Sequence, residues 1–370
     1  MHIILLFTYG YSLKTWEQSG SLNRELLYYK TLCSSEDIKF TFVTFGDETD
    51  LNYTSEFDIF PVYKFIKKKK SKILNYINSF YIPFIIKKEI KDFDIIKQNQ
   101  LLGSWIAILL KIISKKPLFI RTGYDMFKFS INEKKSFFVK YLYLLLTKIS
   151  LLSSDLYTVS SKNDLDFLSS KFNKNSVKNI QIRPNWVYLS NKENINNRDR
   201  NSILNVGRLE YQKNQSEIIK AISNTNFNLT IYGEGSLKNE LQNLAESLNV
   251  RVKIYNIIQN EQLLKIYKNF RYFILSSIFE GNPKVLLEAM SAGCIVITRD
   301  IPNNREIVNN GKNGYLYKNL NELKIILKNV DSDEKKHNNI SNSAIKTIEK
   351  NYSILKCTNL EIKDLYSLHL

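Results

Sequence analysis

The chain has 370 residues, of which 44% are hydrophobic and 12% aromatic, and it carries a formal net charge of +17. That composition rules against disorder, and the length exceeds one ordinary core, so two globular domains are expected. Cys33, Cys294 and Cys357 are odd in number and far apart, which excludes a disulfide framework and a metal-type spacing; they read as buried free thiols of a reducing compartment.

The opening apolar run is too short for a signal peptide and suits a first strand at 3–7. A helix is predicted at 17–33 and a second strand at 40–45. Next comes a basic stretch running from Lys64 through Lys67, Lys68, Lys69, Lys70 and Lys72 to Lys87, Lys88 and Lys91, interleaved with aromatic and aliphatic residues. Residues 51–150 hold 19 Lys and Arg against 7 Asp and Glu, so most of the excess charge lies there. Such a stretch suits an anionic membrane surface, the alternative being a solvated lysine face. Nothing beside it resembles a nucleic-acid motif, and nucleic acid is not expected as a partner. Lys91-Asp92-Phe93-Asp94 leads into a strand at 94–97 and reads as a loop closure; no metal site is expected. The apolar runs 101–113 and 137–152 are interrupted by Lys111, Lys140 and Lys148 and fall short of a span, so both are read as buried helices. Strands at 118–121, 156–160 and 180–183 alternate with helices at 136–150 and 162–171, the pattern of a parallel sheet. Residues 186–201 turn polar and are read as a linker. The alternation then restarts with strands at 203–206, 228–232, 250–255, 273–276 and 295–298, and a final helix is predicted at 352–366.

The richest segment is Phe279-Glu280-Gly281-Asn282-Pro283-Lys284-Val285-Leu286-Leu287-Glu288-Ala289-Met290-Ser291-Ala292-Gly293. Asn282 is a suitable N-cap, Pro283 suits the first helical position, and Gly293 can end the helix. A helix mouth beyond a strand favours a phosphate, and flanking carboxylates can grip hydroxyls. The plainer alternative makes Glu280 an acid favoured by the helix dipole and pairs Glu288 with Lys284.

This run resembles the E-x7-E signature of retaining, family 4 type glycosyltransferases of the GT-B fold. Asn205-Val206-Gly207-Arg208-Leu209-Glu210-Tyr211-Gln212-Lys213-Asn214, Gly233-Glu234-Gly235 and Asn310-Gly311-Lys312-Asn313-Gly314 resemble three further blocks of that family, in order. The resemblance implies an α/β fold of two Rossmann-like domains facing each other across a cleft: an acceptor domain at 1–185, the linker 186–201, a nucleotide-sugar domain at 202–350, and a C-terminal helix at 351–370 crossing back to the first. It implies that Arg208 and Lys213 hold the donor diphosphate and that Glu280 faces the donor sugar, the three being the catalytic group. Glu288 would accept from the ribose hydroxyls, with Gly281, Asn282, Lys284, Gly233 and Gly235 completing the donor site. Gly20, in Ser19-Gly20-Ser21, is the nearest match to the family's phosphate-touching glycine loop. The family's usual histidine is missing: Arg121-Thr122-Gly123-Tyr124-Asp125 stands in its place, making Arg121 and Asp125 candidate sugar contacts.

The same resemblance implies a metal-independent hexosyltransferase of bacterial type, without a cofactor. It would move a sugar from a nucleotide sugar to a lipid-linked or oligosaccharide acceptor in capsule, lipopolysaccharide or other surface-glycan assembly. It would be cytoplasmic and peripheral on the inner face of the membrane. A sugar-nucleotide epimerase on the same fold, or a non-catalytic nucleotide sensor docked to a membrane, are the alternatives.

Overall fold

The computed structural model describes residues 1–34, 37–189, 195–330 and 334–369. The chain divides into two compact units, Met1–Pro184 with Thr358–Leu370, and Asn185–Cys357. The first is built on seven strands, β1 (His2–Leu6), β2 (Lys39–Thr44), β3 (Asp58–Pro61), β4 (Ile95–Asn99), β5 (Leu118–Arg121), β6 (Leu156–Val159) and β7 (Ile180–Ile182). They are ordered β3-β2-β1-β4-β5-β6-β7, every pair parallel. The second unit has β8 (Asp199–Val206), β9 (Asn228–Tyr232), β10 (Val252–Tyr255), β11 (Phe270–Leu275), β12 (Ile295–Arg299) and β13 (Tyr315–Tyr317), ordered β10-β9-β8-β11-β12-β13 and also parallel.

Helices cover both faces of such sheets, so their strands read as nearly unbroken apolar runs. In the second unit, Ile203, Ile231, Ile274 and Ile297 face one core, and Leu204, Phe273, Leu275 and Val296 face the other. The chain winds outward in opposite directions from β1 and β4 in the first sheet, and from β8 and β11 in the second. The crevice at the carboxyl ends of such a strand pair is where doubly wound sheets receive ligands. That topology puts the loops after β8 and β11 side by side.

Several expectations are corrected. The helix read at 17–33 is two helices, Leu13–Gln18 and Leu22–Ser34, broken at Gly20, whose φ is +68°. Of the stretch read as a linker, residues 190–194 lie outside the described residues; Trp186, Val187, Ile195 and Arg198 are buried within the second unit. Arg198 donates to the carbonyls of Ala292 and Phe270 at 2.6 and 3.0 Å, which ties the stretch to the sheet. The 101–113 run does form a largely buried helix, Ser104–Ser114. The 137–152 run does not: in the Phe137–Ser153 helix, only Thr147, Ser150 and Leu151 are buried. Cys33 is half-buried rather than buried.

The last helix, Ile354–His369, inserts Glu361 into the first unit, where it takes the ammonium of fully buried Lys97 and the Tyr28 hydroxyl at 2.9 Å. Asp364 receives Arg183 through two hydrogen bonds of 2.5 and 2.6 Å.

Candidate functional site

The site in the second unit grows from the two loops at its switch point. After β8 the chain runs through Gly207 and Arg208 into a single 3-10 turn, Tyr211–Lys213, and then the Gln215–Ile222 helix. After β11 it runs through Ser276 and Ser277 to Glu280. The loops are stitched together: Gln212 Nε2 donates to the Phe279 carbonyl at 2.8 Å, the Ile278 amide to the Gln212 carbonyl at 2.9 Å, and Ser276 Oγ to the Lys213 carbonyl at 2.7 Å. Lys213 Nζ consequently reaches Glu280 Oε1 at 2.5 Å, an ion pair between side chains that are both largely buried. Arg208 is exposed and touches Gln212 Oε1 at 3.3 Å. Arg208, Lys213 and Glu280 are thus joined through Gln212, a residue that no sequence signal singles out.

The two glycines of the Gly233-Glu234-Gly235 block are needed for backbone contact with this loop. A Cβ on Gly233 would lie 1.9 Å from the Gly207 carbonyl oxygen, and one on Gly235 would lie 2.4 Å from that of Leu209. The Gly207 amide donates to Tyr232 and the Leu209 amide to Glu234, so the second block sets the path of the first.

The helix after Glu280 is Lys284–Ser291 and ends at Gly293 with φ +75°. Its N-cap is Pro283, without a side-chain hydrogen bond, not Asn282 as expected. Asn282 is used otherwise: its Oδ1 accepts from the Asn185 amide at 3.1 Å and its carbonyl from Asn185 Nδ2 at 2.6 Å. Gly281 and Asn282 are buried in that turn. Lys284 places its ammonium 4.4 Å from the centre of the Trp186 ring, a cation–π contact. Glu288, one turn into the helix and 1% exposed, accepts from Asn260 Nδ2 at 2.9 Å and the Tyr267 hydroxyl at 3.3 Å. Asn260 and Tyr267 come from the Asn260–Tyr267 helix, where no local pattern marks them as partners of a carboxylate. The Asn310–Gly314 block is a turn: Asn313 Oδ1 accepts from the Asn309 amide at 2.7 Å, and the chain then enters β13.

In the first unit, Gly20 closes the Leu13–Gln18 helix by donating to the Glu17 carbonyl at 2.9 Å. The glycine just beyond β1 is Gly10, with φ +82° and open space where a Cβ would point. Its isolation from a second glycine hides it in the sequence. Arg121 ends β5; burial works against its charge, but Tyr28, Glu361 and Tyr29 around it outweigh that and raise its pKa. Asp125 caps the Met126–Asn132 helix, its Oδ1 accepting from the Lys128 amide at 2.6 Å, while its buried Oδ2 has no partner among the described residues. Asp94 of the Asp-Phe-Asp run accepts from the His2 amide at 2.7 Å, and that bond holds its pKa below the usual value. Among the described residues no group of three or more His, Cys, Asp or Glu is placed to hold a metal ion.

Burial pushes the Asp125 carboxyl up from 3.8 to about 6. The folded chain therefore holds this proton more tightly than the unfolded one. The contribution to stability is full below about pH 4 and is lost as pH rises through about 6. Asp125→Asn keeps an N-cap without the charge, so it is expected to raise stability at pH 7.5 by on the order of 2–3 kcal/mol and to change it little at pH 4. Urea midpoints of both chains at the two pH values check this; an equal difference at both would contradict it.

Residues 189–347 match the family model described as glycosyl transferases group 1, so the chain carries such a domain. A Campylobacter jejuni protein named N-acetylgalactosamine-N,N'-diacetylbacillosaminyl-diphospho-undecaprenol 4-alpha-N-acetylgalactosaminyltransferase is 32% identical over 229 residues, 59% of this chain and 62% of that protein. The capsular polysaccharide biosynthesis glycosyltransferase CapH of Staphylococcus aureus is 27% identical over 313 residues, 78% of this chain and 82% of the relative. The match to the Campylobacter protein thus spans just under two thirds of that relative's length. Among solved structures, a sucrose-phosphate synthase of Thermosynechococcus elongatus superposes with a TM-score of 0.80 at 16% identity, covering 99% of this chain and 98% of that one. The Anabaena protein HepE, solved with UDP and glucose, gives 0.75 at 15% identity, covering 99% and 100%. Two parallel sheets of this kind match the GT-B fold, as the resemblance implied.

Proposed function

We propose that this chain is a retaining glycosyltransferase that moves a sugar from a nucleotide donor to a lipid-linked acceptor in surface-glycan assembly. The observation that carries the reading is the joined group Arg208, Gln212, Lys213 and Glu280 at the switch point of the second sheet, within the segment that matches the family model. When the bond from the anomeric carbon to the diphosphate breaks, negative charge collects on the phosphate oxygens and positive charge on the carbon. Arg208 and Lys213 supply fixed cations to the first, and Glu280 a carboxylate to the second. The acceptor hydroxyl oxygen bonds to the anomeric carbon, and its proton passes to a leaving phosphate oxygen, which needs no histidine, metal or cofactor. Glu288, held by Asn260 and Tyr267, takes the ribose hydroxyls; Gly233, Gly235, Gly281, Asn282 and Lys284 complete the donor site.

The acceptor class is supported by two relatives. The Campylobacter protein is named for a sugar diphospho-undecaprenol, and an Escherichia coli protein, 29% identical over 64% of this chain and 58% of its own length, is named a UDP-Gal:alpha-D-GlcNAc-diphosphoundecaprenol galactosyltransferase. In this reading the chain works on the cytoplasmic face of the membrane, with Lys67, Lys68, Lys69, Lys70 and Lys72 against anionic headgroups.

Charge-assisted hydrogen bonds contribute about 1.5–3 kcal/mol each, so Glu288→Ala is expected to weaken nucleotide binding roughly ten- to a hundredfold. Titration calorimetry with UDP and GDP, beside circular dichroism to follow folding, tests this. A folded variant that binds with unchanged affinity would remove Glu288 from the site. Incubation with a labelled sugar nucleotide separates transfer to an acceptor from isomerisation of the donor and from binding without turnover.

A further inference from the structure

The Phe137–Ser153 helix is apolar around most of its circumference, and much of that surface is left open. Its buried side carries Thr147, Ser150 and Leu151, and Ser150 Oγ donates to Ser104 Oγ at 2.8 Å. Its open side carries Phe137, Phe138, Tyr141, Leu142, Leu145, Ile149 and Leu152, with Phe137 84% and Phe138 67% exposed. At about 100° per residue these positions fall within one arc of roughly 140°, which also holds the exposed Lys148, and it runs the full length of about 25 Å. Leaving that many large apolar side chains in water forgoes stabilisation that burial would supply, and a contiguous face of this kind marks an interaction surface.

Charge decides what covers it. Between residues 133 and 155 there are four lysines, Lys134, Lys135, Lys140 and Lys148, against two acids at the ends, Glu133, which pairs with Lys135 at 3.3 Å, and Asp155, so the segment is net positive. A second copy would bring the same lysines against themselves, whereas an anionic bilayer offers acyl chains to the apolar arc and headgroup charge to lysines whose long stems let the ammonium reach it. The lateral placement agrees. The crossovers β3 to β4, β4 to β5 and β5 to β6 all step the same way across the sheet, so their helices lie on one face. The Ile82–Glu89 helix packs on Ser104–Ser114, which packs on Phe137–Ser153. Phe84 and Ile112, exposed on the first two, extend the same layer. None of the helices, among the described residues, is long and apolar enough to cross a membrane, so the helix would lie in the plane of the interface.

We propose that the Phe137–Ser153 helix is an interfacial membrane anchor whose apolar arc enters the acyl boundary of an anionic bilayer. This rests on the reading that the chain works at a membrane and places the hydrophobic part of that contact on an element separate from the Lys67–Lys72 cluster. The test is sedimentation with phosphatidylcholine vesicles containing phosphatidylglycerol. Combined Phe138→Ser, Leu142→Gln and Leu145→Gln exchanges, all at exposed positions, are expected to lower partitioning at least about tenfold while UDP binding is unchanged. Phe138→Trp keeps the face apolar, and its added fluorescence should be quenched by lipids with brominated acyl chains. Partitioning unchanged by the triple exchange but lost when Lys67–Lys70 and Lys72 become Gln would overturn the anchor and leave the membrane reading standing. No vesicle binding by the unmodified chain would overturn both, without touching the donor-site reading. A dimer in light scattering that the triple exchange turns into a monomer would assign the face to a second copy and likewise overturn the proposal.

Discussion

Lys213→Ala is expected to lower the maximal rate of sugar transfer about 100- to 1000-fold, with a much smaller change in donor affinity. Losing one donor that acts on developing charge commonly costs that much, because the interaction is stronger in the transition state than in the ground state. The local geometry adds to the effect. Lys213 Nζ sits 2.5 Å from Glu280 Oε1, so its removal leaves a largely buried carboxylate without its cation. Arg208→Ala should act in the same direction by a smaller factor, since the guanidinium is exposed and contacts Gln212 alone among the described residues. Steady-state kinetics over a range of donor concentrations separates the cases. A rise in the Michaelis constant at an unchanged maximal rate would make the pair a binding clamp with no part in the transition state.

Lys97→Ala is expected to destabilise the first unit by about 3–5 kcal/mol, although Lys97 is remote in sequence from the donor chemistry. Its ammonium is fully buried, and burial pulls its pKa below the usual value while Glu361 holds it up. The aromatic rings of Tyr29 and Phe119 lie 5.1 and 5.3 Å from it. Removing one member of such a pair strands the other charge in the interior, whereas replacing both by apolar groups of similar volume costs far less. The double exchange Lys97→Met with Glu361→Leu should therefore recover part of the loss in urea unfolding followed by tryptophan fluorescence, the remainder reflecting the Tyr28 hydroxyl and the Arg121 charge that also lose Glu361. Additive losses in the double exchange would show that the two side chains act independently.

Much of the architecture is legible because parallel strands buried on both faces announce themselves locally. The expected bounds of β5, β9 and the Lys162–Lys171 helix coincide with those of the structure. The strands that escape the sequence, β3 and β13, are three or four residues long and lie on sheet edges, where one side lacks a partner and the apolar run has no length to reveal itself; β3 also ends in Pro61. The Phe137–Ser153 helix departs from expectation for a different reason: hydrophobicity alone does not say which side faces the protein. The burial of Thr147, Ser150 and Leu151, with Ser150 bonded to Ser104, shows which side is the inner one.

The site is legible as residue types and not as contacts. Glu280 and Lys213 are 67 positions apart, and nothing local states that they pair. Asn260 and Tyr267, which hold Glu288, carry no signal of their own. Asn282 has the residue type of a cap, but a competing partner, Asn185, takes its side chain and the helix begins at Lys284 instead.

The most direct test of the central claim is to incubate the protein with a panel of tritiated UDP- and GDP-sugars and polyprenyl-diphosphate-linked sugar acceptors, and to follow label into the organic phase. The account predicts transfer of label for one donor, with the new glycosidic bond in the same anomeric configuration as the donor by proton NMR, and loss of that transfer in Lys213→Ala. Label that remains in water as isomerised or unchanged nucleotide sugar across the whole panel, or a product of inverted configuration, would contradict it.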